Sequence, residues 1–209
     1  MNTILSLRDV TKRWGGSSGL EPISLDLAAG ELIVVQGRSG SGKSTLLAIL
    51  AGWCAADHGS VVRFGEWAVA DAWREWRHTS IVPQVLSNVA ELSVRENVAM
   101  PLRLAGATPH DAMATADDVI ERLAIGEQAG RRPGEISVGQ QQRLAVARAV
   151  AMPATLLLAD EPTSHQDATH AEVVMAAIER AAADGAGVLV ASHDPAALNV
   201  ADRIIQFDV

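Results

Sequence analysis

The sequence predicts an α/β chain: a mainly parallel sheet with helices, an antiparallel β section near the N-terminus and an inserted α-helical section. Three observations predict it. The apolar run Leu32-Ile33-Val34-Val35 leads into the glycine-rich stretch Gly37 to Thr45 and then into an apolar segment of helical character, a strand–loop–helix unit. In the last third of the chain, apolar runs alternate with helical segments, the pattern of a parallel sheet. Between these parts, from Ser87 to about Gly130, the composition turns to Ala, Leu, Met and Arg, punctuated by Pro101, Gly106, Pro109 and Gly126. That change reads as an inserted helical section.

Taken in order, Ile4 to Val10 alternates apolar and polar residues and is expected to be a half-buried strand. Trp14 and a Gly/Ser loop follow, then a second alternating run, Pro22 to Leu27, and a turn at Ala29-Gly30. After the strand ending at Val35, a helix is expected over Ser44 to Ala55. Ser60 to Phe64, ended by Gly65, and Ile81 to Gln84 read as short strands. Gly139 to Ala151 is expected to be helical, with Leu144, Ala147 and Ala151 on one face and Arg143 opening its charged positions. Thr155 to Asp160 reads as a buried strand and Ala171 to Ala183 as a helix. Gly187 to Ser192 and Arg203 to Phe207 close the sheet. The expected division is one domain, with 1–86 and 152–209 as core plus β section and 87–151 as the helical section.

Composition narrows the function classes. The 209 residues carry 25 acidic and 17 basic side chains, a formal charge of -8. Nucleic-acid binding leaves a basic footprint, so nucleic acid is not expected as a partner. Cys54 is the lone cysteine, which rules out an internal disulfide and suits a reducing compartment. The opening Met1-Asn2-Thr3-Ile4 lacks the basic and apolar regions of a signal peptide. No apolar run reaches membrane-spanning length, so any membrane part is expected from another chain.

The chemistry concentrates at strand ends and helix starts. Gly37-Arg38-Ser39-Gly40-Ser41-Gly42-Lys43-Ser44-Thr45 matches G-x-x-x-x-G-K-[ST], a phosphate-binding loop. Its glycines let backbone N–H groups converge on phosphate oxygens, and the following helix adds its positive end. Lys43 can reach β- and γ-phosphates, and the Ser44 hydroxyl can sit on Mg²⁺. Leu156-Leu157-Leu158-Ala159-Asp160-Glu161 is an apolar strand ending in two carboxylates. Asp160 can hold Mg²⁺ directly or through water, and Glu161 can polarise an attacking water. Ser137-Val138-Gly139-Gln140 places Ser and Gly at a second helix start, a second anion-binding arrangement. The economical reading is that it serves a nucleotide held by another copy. Gln84 and Ser192-His193-Asp194 supply polar groups at further strand ends.

In this order the motifs resemble the nucleotide-binding subunit of an ATP-binding cassette (ABC) transporter, from Leu5 to about Phe207. The phosphate loop resembles Walker A, LLLADE resembles Walker B, and ISVGQQQR resembles the signature usually written LSGGQ. Ser164-His165-Gln166-Asp167 is similar to the D-loop, Gln84 to the Q-loop glutamine, and His193 to the switch histidine. Trp14 stands where an adenine-stacking aromatic is found, with packing as its other reading. The segment Glu91 to Leu102 is similar to that of the lipoprotein-release, macrolide-export and cell-division ATPases.

The resemblance implies an ATPase with ATP and Mg²⁺ as ligands. Glu161, His193 and Gln84 are its expected catalytic residues, and Ser44, Gln84 and Asp160 its metal ligands. Trp14, Gly37 to Thr45, Ser137, Gly139 and Gln140 are its expected nucleotide contacts. It also implies a homodimer on ATP binding or a paired cassette, an integral membrane permease, and a peripheral place on the cytoplasmic face of the membrane. The alternative is an ABC-type ATPase that regulates a membrane complex, such as a cell-division assembly, without transport. A soluble cassette of DNA repair or translation fits less well, because tandem cassettes, coiled coils and basic extensions are missing. Two departures stand out. Val138 replaces the first signature glycine, and His165-Gln166 replaces the common Ala-Leu. The Trp73/Trp76 pair with Arg74 and Arg77 reads as packing beside a solvated basic edge.

Overall fold

The computed structural model describes residues 2–15, 19–63, 67–68 and 78–207. The Trp73/Trp76 segment and the expected strand end at Phe64-Gly65 lie outside the described residues. Two sheets form the frame. The first is antiparallel, in the order β2-β1-β4-β5, from β1 (Thr3–Arg13), β2 (Gly19–Ala28), β4 (His58–Arg63) and β5 (Trp67–Ala68). The second has five strands in the order β6-β7-β8-β3-β9: β3 (Leu32–Gly37), β6 (Thr79–Val82), β7 (Leu156–Asp160), β8 (Gly187–Ala191) and β9 (Arg203–Phe207). Its neighbours are all parallel. This is the expected α/β arrangement of a mainly parallel sheet with an antiparallel section beside it.

The continuous apolar runs of β3, β7 and β8 follow from burial on both faces. Leu32, Val34, Leu157, Ala159, Val188 and Val190 face one core, with α2 (Val94–Leu104), α3 (Pro109–Arg122), α4 (Val138–Val150) and α5 (Ala168–Ala183). Ile33, Val35, Leu156, Leu158, Leu189 and Ala191 face the other, with α1 (Lys43–Leu50) and the inner face of the antiparallel sheet. The helical section shares the first of these cores with α5 and the sheet. The strands run in parallel, so their C-terminal ends gather the phosphate loop after β3, Gln84 after β6, Asp160 at the end of β7 and His193 after β8 on one edge. Ligands of open α/β sheets bind at that edge.

Strands β1, β2 and β4 start before the expected residues and β5 is not among the expected strands, and three helices differ by more than a residue. Helix α1 ends at Leu50, five residues early; the chain turns at Gly52, whose φ of 75° favours glycine. Helix α5 starts at Ala168, because Asp167 caps it by accepting from the His170 N–H at 2.9 Å. A short helix, α6 (Pro195–Asn199), follows His193 with Asp194 as its cap and Pro195 at its first position. No described helix is long and apolar enough to cross a membrane.

Candidate active site

The phosphate loop owes its path to glycine. Gly40 and Gly42 have φ of 85° and 96°, and Gly42 is the residue before α1. A side chain on Gly42 would also meet the Gly19 carbonyl oxygen at 2.7 Å. The ammonium of Lys43 donates to the carbonyls of Gly37 at 2.7 Å and Arg38 at 3.1 Å, so it lies across the loop that its own N–H groups surround. Arg38, Ser39 and Gly40 are exposed along one wall of the cleft, while Ser41 and Gly42 are buried beneath it. The N-terminus of α1 opens into a cleft of about 530 Å³ lined by the loop, Trp14, Gln84, Asp160, Glu161 and His193.

The carboxylates at the end of β7 have different surroundings. Asp160 is buried, and its burial pushes its pKa up; the hydrogen bond from Ser44 and the nearby Lys43 oppose that. Glu161 has a φ of 47°, a conformation that costs a non-glycine residue on the order of 1 kcal/mol. Its N–H donates to the Ala191 carbonyl at 2.8 Å, which holds the turn against β8. Its carboxylate accepts from Ser192 Oγ and meets His193 Nδ1, each at 3.1 Å. Ser192, fully buried, stands in the stretch noted for polar strand-end groups, but its anchoring of Glu161 was not legible. It depends on two strands lying side by side.

The hydroxyl of Ser44 and the carboxylate of Asp160 form a hard-oxygen pair beside the phosphate loop. Mg²⁺ takes such pairs together with phosphate oxygens rather than an all-protein cage. Among the described residues no cluster of three or more His, Cys, Asp or Glu side chains could hold a metal without such help. Gln84, exposed on the same cleft, is the remaining expected ligand.

Trp14 lies at the mouth of the cleft and is 58% exposed. Its indole N–H donates to Thr45 Oγ1 at 3.1 Å, and the Lys12 ammonium lies 5.1 Å from its ring centroid. Lys12 is itself tied to Asp57 at 2.8 Å. The ring is therefore held at its edge and by a cation, which gives a packing role and a stacking surface to one residue. Thr45 serves Trp14 from inside the loop.

Ser137, Gly139 and Gln140 are not in this cleft. They line a separate one with Gln128, Arg143 and the loop His165 to Asp167. Ser137 caps α4: its Oγ accepts from the Gln140 N–H at 3.2 Å, while Gln140 Oε1 accepts from the Ser137 N–H at 2.9 Å. Val138 is the first residue of α4 and half exposed, so the positive-φ freedom of glycine is not needed there. Gly139 is different: a Cβ there would come 2.8 Å from the His165 carbonyl oxygen. Arg143, which opens the charged positions of the helix in sequence, is buried, and its guanidinium donates to Gln166.

Residues 20–164 match the family described as ABC transporter. An uncharacterized ABC transporter ATP-binding protein of Mycobacterium bovis is 40% identical over 193 residues, covering 90% of this chain and 58% of that protein. The lipoprotein-releasing system ATP-binding protein LolD of Chromohalobacter salexigens is 37% identical over 197 residues, 90% of this chain and 82% of LolD. A dimeric ATP-binding cassette in a post-hydrolysis state, bound to ADP and Pi, superposes with a TM-score of 0.86 at 28% identity, over 97% of this chain and 94% of that one. The chain thus spans 58% of the length of the first curated relatives it matches.

Proposed function

Because this chain belongs to the ABC transporter family, as one of its ATP-binding cassettes, we propose that two copies close head to tail on two ATP molecules and hydrolyse them to work a separate integral membrane permease. The observation that carries this is the split between two clefts. Lys43, Ser44, Gln84, Asp160, Glu161 and His193 share one, while Ser137, Gly139 and Gln140 line another. A single ATP engages both sets only when the second set comes from another copy. The dimeric relative with ADP and Pi supports that reading.

In each composite site the phosphate loop, Gly37 to Thr45, binds the triphosphate through its N–H groups and Lys43, and Trp14 stacks on the base. Ser44, Asp160 and Gln84 would hold Mg²⁺, which would supply charge neutralisation at the bound phosphates. Glu161, held by Ser192 and His193, orients the attacking water and takes its proton. His193 steadies the γ-phosphate through the ring nitrogen that does not face Glu161. From the partner, Ser137 donates its hydroxyl proton, which its capping bond leaves unused, and the first turn of α4 adds its dipole.

Residues 87–151 act as a helical arm on a core made of 1–86 and 152–209. The permease docks beside Gln84 and that arm, where Trp53, Val85, Pro101 and Met152 line an open groove. Trp53 and Val85 are 62% and 80% exposed there, an apolar surface of the kind that marks an interaction site. The chain then sits peripherally on the cytoplasmic face of the membrane. Similarity to LolD favours export or extraction from the membrane as its direction.

The test is Lys43→Ala. It removes the charged partner of the phosphates and should abolish equilibrium binding of a fluorescent ATP analogue and Mg²⁺-dependent phosphate release. Unchanged affinity would place the nucleotide elsewhere.

A further inference from the structure

Gln166 holds two parts of the chain together with one side-chain amide. Its Nε2 donates to the Gly139 carbonyl at 2.9 Å, and its Oε1 accepts from Arg143 Nη1 at 2.7 Å. Both partners are on the first two turns of α4. The backbone of Gln166 leads the other way: its N–H donates to the Thr163 carbonyl at 3.2 Å, and the Ser164 N–H donates to the Glu161 carbonyl at 3.1 Å. The segment between is tightly determined. His165 has a φ of 62°, and its carbonyl lies close enough to Gly139 to exclude a Cβ. Residues held in such a conformation persist only where their surroundings fix them.

We propose that Gln166 is a positioning residue for hydrolysis: its amide fixes the first turn of α4 to the loop carrying Glu161, so that engagement of Ser137 and Gly139 by nucleotide sets the place of Glu161 in the same chain. This rests on the head-to-tail reading, in which those two residues meet the partner's ATP. The donor half of the amide is the part that matters. Arg143 is buried and its pKa is lowered by desolvation, so it gains from any acceptor at position 166. The Gly139 carbonyl, already within the helical ladder of α4, takes a second donor from the NH₂ group, which a carboxylate at position 166 could not supply.

The two halves separate in Gln166→Glu. A carboxylate still accepts from Arg143, now as a charged pair, but it has no proton for Gly139 and repels that carbonyl. Gln166→Leu loses both bonds to α4, together with the longer bond from Nε2 to the Ser164 carbonyl at 3.4 Å. The expected result is that Gln166→Glu melts at or above the parent temperature, yet both variants lose about tenfold in kcat, the scale of one or two such bonds. ATP affinity of the monomer stays at the parent value, and the ATP dependence of the rate loses its sigmoidal shape. Parent-like kcat in both variants overturns the proposal. So does an active Gln166→Glu beside an unstable, inactive Gln166→Leu, which would make Gln166 a support for Arg143 alone. The reading beneath is checked separately with Glu161→Gln carrying native Gln166. If that protein stays monomeric with ATP, the head-to-tail arrangement fails. If it dimerises and the Gln166 variants are unaffected, only the inference about Gln166 fails.

Discussion

His193 Nδ1 lies 3.1 Å from Glu161 Oε1, joining the ends of two neighbouring parallel strands, β7 and β8. The ring and the carboxylate therefore act as one unit, and Ser192 fixes the second carboxylate oxygen.

Replacing Glu161 by Gln keeps the shape and the bond from Ser192 but removes the proposed base. Turnover should fall roughly 10²- to 10⁴-fold with ATP binding retained. His193→Ala should cost less than Glu161→Gln, because Ser192 still holds the carboxylate. Steady-state phosphate release measures both, and a near-parent rate for Glu161→Gln would remove it from the catalytic role.

Gly139→Ala and Val138→Ala should give unequal results on adjacent residues. The added methyl at 139 meets the His165 carbonyl oxygen at 2.8 Å, and such overpacking costs about 1–3 kcal/mol. Val138 is half exposed, and its truncation should stay within about 0.5 kcal/mol. Urea denaturation of the two variants checks this. Equal effects would mean that the loop at His165 does not press on α4.

This contrast marks what was legible in the sequence. The phosphate loop, the carboxylates of β7 and the strands β3, β7 and β8 carry their signals locally, as glycine spacing and unbroken apolar runs. The packing of His165 and Gln166 on α4 has no local signal. It joins residues 27 apart through side chains that could equally well have faced solvent. The burial of Arg143 has no local signal either, since a charged residue on an amphipathic helix is normally outside. The overlong α1 shows a different limit: helical composition continued past Gly52, and one backbone angle decided the end. Asn97 is a further case. It is buried and bonds the backbone of Val89, Leu92 and Ser93, so the Glu-Asn-Val stretch, read by resemblance alone, also folds the turn before α2.

Asp160, a proposed Mg²⁺ ligand, carries a stability cost. Burial raises its pKa, so the folded chain holds this proton more tightly than the unfolded one. That contribution favours the fold below the unfolded pKa and is lost as pH rises through the raised folded value. At neutral pH the ionised carboxylate therefore destabilises the metal-free protein. Asp160→Asn should melt higher than the parent at pH 8 in EDTA, with the gap closing as pH falls through the carboxylate range, and should lose Mg²⁺-dependent hydrolysis. A gap that does not change with pH would contradict this.

The composite site is tested most directly by Ser137→Arg in the Glu161→Gln background, followed by light scattering after size exclusion with and without ATP. In the proposed head-to-tail arrangement the Arg side chain would fill the space of the partner's γ-phosphate, while Lys43, Trp14 and the rest of the first cleft are untouched. Glu161→Gln alone should pass from monomer to dimer on ATP, and the double variant should bind ATP as tightly yet remain monomeric. An ATP-dependent dimer of the double variant, or full hydrolysis by Ser137→Arg alone, would contradict the head-to-tail arrangement.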